Sequence, residues 1–265
     1  MTYTDAELYD RGVETLLASW AEISRGSPAA ALLRGAGVAA AVFPAAPERT
    51  VYNNALLARG LGAKARRTAI EAMQAKYAAA GIGHYAAWVH DSDPRLGADL
   101  EDRGFAHQET TRAMGMSLRD ASIPDLGVEL GPAEWAAYLR LLDLPPGFLR
   151  GADPAAFSVL VARSAGQSVA TAMAFDHDGD CGLYNVTTVA SARRRGVGTA
   201  LTAAHLRDAL ARGCSTASLQ STPMGERVYA RLGFRDLGRF FEYVPKAGLP
   251  HRFTSSVPAE QPLER

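Results

Sequence analysis

The segment ASARRRGVGTALTAAHL, residues 190–206, places three consecutive arginines beside two glycines, just before an alanine- and leucine-rich helical pattern. The start of a helix leaves about four backbone N–H groups without partners and carries roughly half a positive charge. Gly196 and Gly198 leave these amides open to a ligand, and the arginine side chains add guanidinium groups that bind phosphate oxygens. The arginines are Arg193, Arg194 and Arg195. We expect this turn to bind a diphosphate group.

This turn differs from the two common phosphate-binding fingerprints. The third glycine of a G-x-G-x-x-G pattern would fall at Leu201, and the turn lacks the G-x-x-x-x-G-K pattern of a P-loop. A tight turn with solvated arginines is the alternative that the pattern alone leaves open.

The elements around the turn are predicted from periodicity and turn residues. Residues 157–189 read as three strands, with turns at Ala165-Gly166 and Asp178-Gly179. The helix that follows the arginines is predicted over 198–212. A strand over 216–221 and a helix over 224–232 come next, and "FRDLGRF" and "FFEYV" are predicted as two further strands.

The first part of the chain shows a similar order of elements. An amphipathic helix with Thr4 or Asp5 as its cap is predicted first, and Arg119–Gly127 has the polar, proline-containing composition of a connector. The strands predicted between them are 37–43, 51–58, 84–91 and 110–118, and the helices are 63–81 and 94–104.

Short sequence matches between the two parts indicate duplication of a whole domain. Tyr52-Asn53 corresponds to Tyr184-Asn185, and Ala80-Gly81 to Arg212-Gly213, both at an offset of 132, and Gly104-Phe105 matches Gly233-Phe234 after an insertion. We therefore expect two domains and a C-terminal tail, with boundaries at 1–120, 121–246 and 247–265.

Two motifs in the second copy resemble the GNAT acyltransferase superfamily. Arg193-x-x-Gly196-x-Gly198 is similar to its acyl-CoA diphosphate loop, and Tyr229-Ala-Arg-Leu-Gly-Phe resembles its next helix. The resemblance covers about residues 125–245 and implies an α/β (α+β) fold of two tandem GNAT-like domains. Each would be a mixed, mostly antiparallel sheet flanked by helices, with a splayed pair of parallel strands that holds acetyl-CoA.

The resemblance also implies roles for individual residues. Tyr229 would lie beside the sulfur of CoA as the catalytic residue, and no metal is expected. Residues implied in substrate binding are Asn185, Gln220 and Ser221. Residues implied in cofactor binding are Val186, Thr187, Thr188, Val189, Arg193, Arg194, Arg195, Gly196, Val197, Gly198, Thr199 and Thr222.

Three positions depart from the family pattern. Ala190 stands where many members have proline, Thr222 where they have asparagine, and Ala217 where some carry a glutamate base. The general base is therefore unassigned. The first hypothesis is an N-acetyltransferase that acts by direct attack in a ternary complex. The alternatives are a non-catalytic acyl-CoA-binding or sensor protein, and a nucleotide- or phosphate-binding module.

The first copy is expected to bind no CoA. At the offset of 132, Lys64 and Arg66 stand opposite Gly196 and Gly198. At the later offset, which aligns Gly104-Phe105 with Gly233-Phe234, Leu100 stands opposite Tyr229. Bulky side chains at the glycine positions would keep phosphate from the backbone. We expect this copy to cover the acceptor cleft of the second one, because ligand sites favour domain interfaces.

The amino-acid composition narrows the range of expected binding partners. Among 265 residues, 28 Lys and Arg balance 28 Asp and Glu, which argues against a nucleic-acid partner, and no apolar run suggests a membrane span. Cys181 and Cys214 match neither a metal-ligand spacing nor a disulfide framework, which suits a cytoplasmic protein. The expected acceptor is an amine of a small molecule or peptide, and the expected state is monomer or homodimer.

Overall fold

The computed structural model describes residues 3–48, 50, 52–119, 121, 123–124, 127–133, 135–144 and 153–246. The predicted tail, 247–265, and part of the predicted connector lie outside these residues. The helices are α1 Asp5–Arg25, α2 Ala63–Ala79, α3 Pro94–Glu101, α4 Trp135–Leu141, α5 Val197–Ala211 and α6 Glu226–Arg231. The strands are β1 Ala31–Gly35, β2 Val38–Val42, β3 Asn54–Leu57, β4 Ala86–His90, β5 Phe105–Ser117, β6 Leu130–Pro132, β7 Phe157–Ser164, β8 Gln167–His177, β9 Asp180–Thr188, β10 Thr216–Ser221 and β11 Arg235–Pro245.

Within the described residues, eleven strands form one sheet in the order β1-β2-β3-β4-β11-β5-β10-β9-β8-β7-β6. The neighbours β3 and β4 are parallel, as are β9 and β10, and the other pairs are antiparallel. We call residues 1–120 the first segment and residues 121–246 the second, after the predicted boundary. The C-terminal strand β11 lies between β4 and β5 of the first segment. The mixed fold class is thus confirmed, and the two segments share one continuous sheet. The boundary at 120/121 stays a prediction.

Both faces of the sheet are covered by helices. Ala39 and Ala41 of β2 belong to the hydrophobic cluster that contains α1 and α4, whereas Val38 and Ala40 belong to the cluster that contains α2 and α3. Because successive side chains of a strand point to opposite faces, α1 and α2 lie on opposite sides of the sheet. Helix α5 packs in a third cluster, which also contains residues of β9 and β10.

Helix α1 crosses the middle of the sheet and contacts strands of both segments. A capping box starts it, because the Thr4 side chain accepts a hydrogen bond from the Glu7 N–H while the Glu7 carboxylate accepts one from the Thr4 N–H. Its buried face includes Leu16, Trp20 and Ile23. This face forms one wall of the cavity described below.

The same order of elements occurs twice, as β1-β2-β3-α2-β4-α3-β5 and as β7-β8-β9-α5-β10-α6-β11. The residue matching at the offset of 132 is wrong, however. Gly62 and Gly196 are the N-caps of α2 and α5, which places Lys64 rather than Arg66 opposite Gly198. Tyr52-Asn53 precede β3, whereas Tyr184-Asn185 lie inside β9. The spacing of residues differs between the copies because β9 has 9 residues whereas β3 has 4.

Both predicted hairpin turns have the backbone conformation that their residues predict. Ala165 and Gly166 have φ of 49° and 76°, and Asp178 and Gly179 have φ of 45° and 72°. Two consecutive positive φ angles are typical of the type I′ turns that join antiparallel strands. The C-terminal segment that was predicted as two strands is one strand, β11, with a register shift beside Gly238, whose φ is 102°.

Replacing Asp180 by alanine should lower the free energy of unfolding by about 2–4 kcal/mol, because two buried hydroxyl groups would lose their acceptor. The Asp180 carboxylate, 2% exposed, accepts hydrogen bonds from Thr216 Oγ1 and Ser218 Oγ, both at 2.7 Å, and so joins β9 to β10. Urea unfolding measures the change. The exposed Asp208→Ala is the control and should change stability by less than about 0.5 kcal/mol. Equal effects of the two substitutions would contradict the structural role of Asp180.

Candidate functional site

The parallel strands β9 and β10 pair only over the first part of their length. Their last paired residues are Leu183 and Leu219, after which β9 continues to Thr188 beside β8 alone. Asn185 has a φ of 53°, and the β8–β9 register shifts beside it. Its side-chain amide donates a 2.6 Å hydrogen bond to the buried Tyr138 hydroxyl, which holds the irregular strand in place. The two strands therefore open into the splayed cleft that the sequence predicted.

A cavity of about 710 Å³ fills this cleft and continues toward the first segment. Most of the residues predicted from the sequence line it. They are Asn185, Val186, Thr187, Thr188, Arg193, Arg194, Gly196, Val197, Gly198, Thr199, Gln220, Ser221, Thr222 and Tyr229. The structure thus brings together in one space side chains from β9, α5, β10 and α6.

Two of the predicted residues are not part of the cavity lining. The Val189 N–H donates a 2.9 Å hydrogen bond to the Val169 carbonyl, so this amide is already used between β9 and β8. Arg195 is exposed in the loop before α5. The predicted contacts of these two residues with a cofactor remain predictions that the cavity does not support.

The start of α5 lies at one end of the cavity. Gly196 caps the helix with a φ of 77° and supplies no side-chain hydrogen bond to the first turn. A Cβ atom on Gly198 would lie 3.8 Å from Thr188 Oγ1 and 4.0 Å from Val186 Cγ1, so the helix start and the end of β9 are close neighbours. The N–H groups of the first turn and the helix dipole thus meet the cavity beside β9.

The arginines before α5 have different surroundings. Arg193 Nε donates a 3.0 Å hydrogen bond to the Thr188 carbonyl and so ties the loop to the end of β9. Arg194 has a φ of 61° and is exposed, yet it lines the cavity together with Arg193. These two guanidinium groups give the α5 end of the cavity its positive charge.

Tyr229 lines the cavity from α6. Its ring contacts Phe234 edge-to-face at 5.9 Å, and burial raises the pKa of its hydroxyl to about 12. The hydroxyl therefore remains a hydrogen-bond donor throughout the neutral range.

Arg112 of β5 ties α6 to the sheet. Its Nε lies 2.9 Å from Oε2 of Glu226, the first residue of α6, and Arg112 also pairs with Asp236. Sequence reasoning missed Arg112, because nothing local marks an arginine in a strand as the partner of a distant helix.

The far part of the cavity is built by α1 and by strands and loops of the first segment. We call it the acceptor arm, after the role proposed for it below. Its residues are Leu16, Ser19, Trp20, Ile23, Phe43, Tyr52, Asn54, Trp88 and Thr111. Trp20 and Trp88 contact each other edge-to-face at 5.8 Å, and Phe43 lies 5.7 Å from Tyr52. The acceptor arm could not be found from spacing, since its residues come from separate elements.

Glu242 of β11 lies next to Trp88 of this arm. It is paired across the sheet with Trp88 on one side and with Glu109 on the other, and its Oε2 accepts a 3.1 Å hydrogen bond from Trp88 Nε1. Burial, assisted by the negative charge of Glu109, raises the pKa of its carboxyl from 4.5 to about 7. The side chain therefore carries a partly neutralised charge beside the aromatic wall.

The raised pKa of Glu242 predicts a specific pH dependence of stability. The folded protein binds this proton more tightly than the unfolded chain, so stability falls as the pH rises from about 4.5 to about 7 and is lower by roughly 2–3 kcal/mol above that range. Glu242→Gln keeps an acceptor for Trp88 and should remove this loss. Urea unfolding of both proteins at about pH 4 and pH 8 tests it. A stability difference that is the same at both values would show that Glu242 titrates normally.

Comparison with known proteins agrees with this geometry. Residues 155–236 match the family model described as an acetyltransferase (GNAT) domain. These residues include both splayed strands, the start of α5 and Tyr229. Residues 155–236 form a GNAT domain.

Solved structures extend the GNAT likeness to nearly the whole chain. A GCN5-related N-acetyltransferase from Kribbella flavida has a TM-score of 0.67 at 19% identity, over 92% of this chain and 97% of that one. A GCN5-related N-acetyltransferase from Sphaerobacter thermophilus has a TM-score of 0.57 at 16% identity, over 92% and 93%. A tandem GNAT protein from the clavulanic acid biosynthesis pathway has a TM-score of 0.59 at 15% identity, over 95% and 98%. At these identities the likeness shows the tandem GNAT fold alone.

No curated protein matches the sequence significantly. In the part of the chain that the structure describes, no helix is long and apolar enough to cross a membrane. Nor do the described residues contain a group of three or more His, Cys, Asp or Glu side chains that could hold a metal ion.

Proposed function

We propose that this protein is an N-acetyltransferase that transfers the acetyl group of acetyl-CoA to an amine of a small molecule or peptide. The observation that carries the proposal is the continuous cavity. It joins the start of α5, the open edge of β9 and Tyr229, and it continues into a separate acceptor arm. Two substrates can therefore reach the same point from different sides, as direct attack in a ternary complex requires.

The residues present fit acetyl-CoA. The amides of Val197, Gly198 and Thr199 suit a diphosphate, with Arg193 and Arg194 as its counter-charges. Val186 to Thr188, on the unpaired edge of β9, suit a pantetheine chain. The family likeness and this chemistry support a co-substrate role for acetyl-CoA. We further propose that the reaction uses no metal and that the protein is a cytoplasmic monomer or homodimer.

The chemistry that acetyl-CoA supplies is a thioester carbonyl. An acceptor nitrogen forms a bond to the carbonyl carbon, the carbon–sulfur bond breaks, and the sulfur leaves as a thiolate. The Tyr229 hydroxyl donates a hydrogen bond to this developing charge. Full proton transfer from a tyrosine of pKa about 12 to a thiolate of ordinary basicity would be uphill by about 5 kcal/mol. Tyr229 therefore acts by hydrogen bonding, which is sufficient to stabilise the thiolate.

The attacking amine must be neutral, and its proton must be removed. Among the described residues that line the cavity there is no carboxylate and no imidazole. The polar groups nearest the end of β10, Gln220 and Ser221, together with Asn185, can position water but are not bases. Amines that are largely neutral near pH 7 should consequently be favoured.

The same lack of a base among these lining residues supports a second candidate, a non-catalytic protein that binds acyl-CoA. One experiment separates the two. Purified protein is titrated calorimetrically with CoA and then assayed for release of free thiol from acetyl-CoA with a panel of primary amines. Binding with acceptor-dependent thiol release supports the transferase, and saturable binding without release for any amine supports the second candidate. Absence of CoA binding contradicts both.

The first copy is proposed to bind no CoA. Lys64 takes the place of Gly198, and Arg66 fills the turn before α2, where it pairs with Asp99 at 2.6 Å and donates to the Leu61 carbonyl. Strand β3 also ends at Leu57, so this copy lacks the extended edge that β9 provides. Its contribution is the wall of the acceptor arm.

A further inference from the structure

The two ends of the cavity differ in charge. Among the described lining residues, the charged side chains are Arg193 and Arg194, and both lie at the α5 end. The polar side chains of the acceptor arm are the neutral Ser19, Asn54 and Thr111, besides the Tyr52 hydroxyl and the Trp indoles. A carboxylate or phosphate held in this arm would be removed from water without a counter-ion among the described lining residues, which is strongly unfavourable.

Two acidic residues lie next to the acceptor arm. Glu242 accepts a hydrogen bond from Trp88, its cross-strand neighbour, and Glu109 is paired with Glu242 on β5. A negative group on a ligand would therefore meet repulsion as well as desolvation. A neutral amine meets neither penalty, and an ammonium group is not repelled by these two carboxyl groups.

The shape of the acceptor arm favours a ring or another compact apolar body. Trp20 and Trp88 meet edge-to-face, and Phe43 and Tyr52 form a second aromatic pair. Leu16 and Ile23 of α1 complete the apolar surface. Aromatic walls of this kind bind flat apolar groups through stacking and edge-to-face contacts.

We propose that the acceptor is a primary amine on a compact aromatic or apolar body that carries no anionic group. This inference rests on the proposed transferase function and narrows its substrate class. It excludes free amino acids, phosphorylated amines and nucleotides as efficient acceptors, because each brings an anion into the acceptor arm.

Three amines that differ at one position test whether an anionic group prevents a compound from acting as an acceptor. Phenethylamine has no carboxyl group, phenylalanine adds a carboxylate, and phenylalaninamide adds a neutral group of the same size. Thiol release from acetyl-CoA gives kcat/KM for each, and quenching of tryptophan fluorescence gives the dissociation constant without turnover, since Trp20 and Trp88 line the arm. We expect phenethylamine and phenylalaninamide to exceed phenylalanine by at least about 100-fold in kcat/KM and in affinity.

The outcomes separate this inference from the proposed function. Thiol release with phenylalanine as fast as with phenethylamine would overturn the substrate class and leave the transferase intact. If acetyl-CoA binds but phenethylamine neither binds nor reacts, the inference is also overturned. Failure to bind acetyl-CoA would instead overturn the proposed function.

A variant tests whether the aromatic wall makes the contact. Trp88→Phe removes the indole and its hydrogen bond to Glu242 and should weaken phenethylamine binding by about tenfold. Its affinity for CoA should be unchanged, because Trp88 lies away from α5, and this serves as the control for folding. Unchanged phenethylamine affinity in this variant would place the acceptor outside the arm.

Discussion

Replacing Gly198 by aspartate is expected to weaken CoA binding by at least about 100-fold, while thermal stability stays the same or increases. The two effects have opposite signs for a physical reason. A carboxylate in the first turn of α5 interacts favourably with the helix dipole, and removing a helical glycine adds up to about 1 kcal/mol. A Cβ atom fits, since its nearest neighbours are 3.8 and 4.0 Å away. The same carboxylate would fill the position proposed for the diphosphate and repel its negative charge.

The chain offers a matched control for this substitution. Lys64 is the second residue of α2, as Gly198 is of α5, so Lys64→Asp places the same carboxylate at the same helical position of the first copy. Its CoA affinity, measured by calorimetry, should equal that of the unmodified protein. Comparable losses in both variants would contradict the assignment of the CoA site to the second copy.

Replacing Tyr229 by phenylalanine is expected to lower kcat for thiol release by about 10²-fold with little change in CoA affinity, because only the hydrogen bond to the leaving thiolate is removed. Burial holds the pKa of Tyr229 near 12, so the ratio of the two rates should stay constant from about pH 6 to pH 9. Steady-state kinetics over this range measures it.

Tyr85→Phe is the control for Tyr229→Phe. Tyr85 is a buried tyrosine of the first segment that stacks on Tyr77 with ring centroids 4.0 Å apart, away from the residues that line the cavity. Loss of the Tyr85 hydroxyl should leave kcat for thiol release unchanged. Equal rates for Tyr229→Phe and the unmodified protein would show that another group stabilises the thiolate.

Features set by local interactions were predictable from the sequence. The helix after the arginines and the strand over 216–221 follow from short-range periodicity and flanking glycines, and the structure places them within about two residues of the prediction. Both hairpin turns were predictable because few residues tolerate two successive positive φ angles. The cluster of α5, β9 and Tyr229 was implied by the resemblance of two local motifs to the GNAT superfamily.

Features that depend on contacts distant in sequence were not predictable. The position of β11 between β4 and β5 depends on pairing between segments more than 100 residues apart, for which the sequence of β11 carries no local signal. The segment was predicted as two strands divided at Phe240, although it is one strand whose irregularity lies at Gly238. Such bulges retain the strand while shifting its register.

The acceptor arm shows the same limitation at the level of function. Trp20 comes from a helix, whereas Trp88 and Thr111 come from two different strands, and their common face exists only in the assembled sheet. Glu242 acquires its raised pKa from burial and from Glu109, a neighbour across the strand pair. Matching of dipeptides between the copies failed for a related reason, because β9 has 9 residues where β3 has 4, and the loop after β9 is also slightly longer than the loop after β3.

The central claim is that the first turn of α5 holds the diphosphate of CoA, and a crystal structure of the protein with CoA bound tests it most directly. The account predicts diphosphate oxygens within hydrogen-bonding distance of the N–H groups of Val197, Gly198 and Thr199, with the sulfur near the Tyr229 hydroxyl. A diphosphate bound at the start of α2, or one that lies away from both helices, would contradict it.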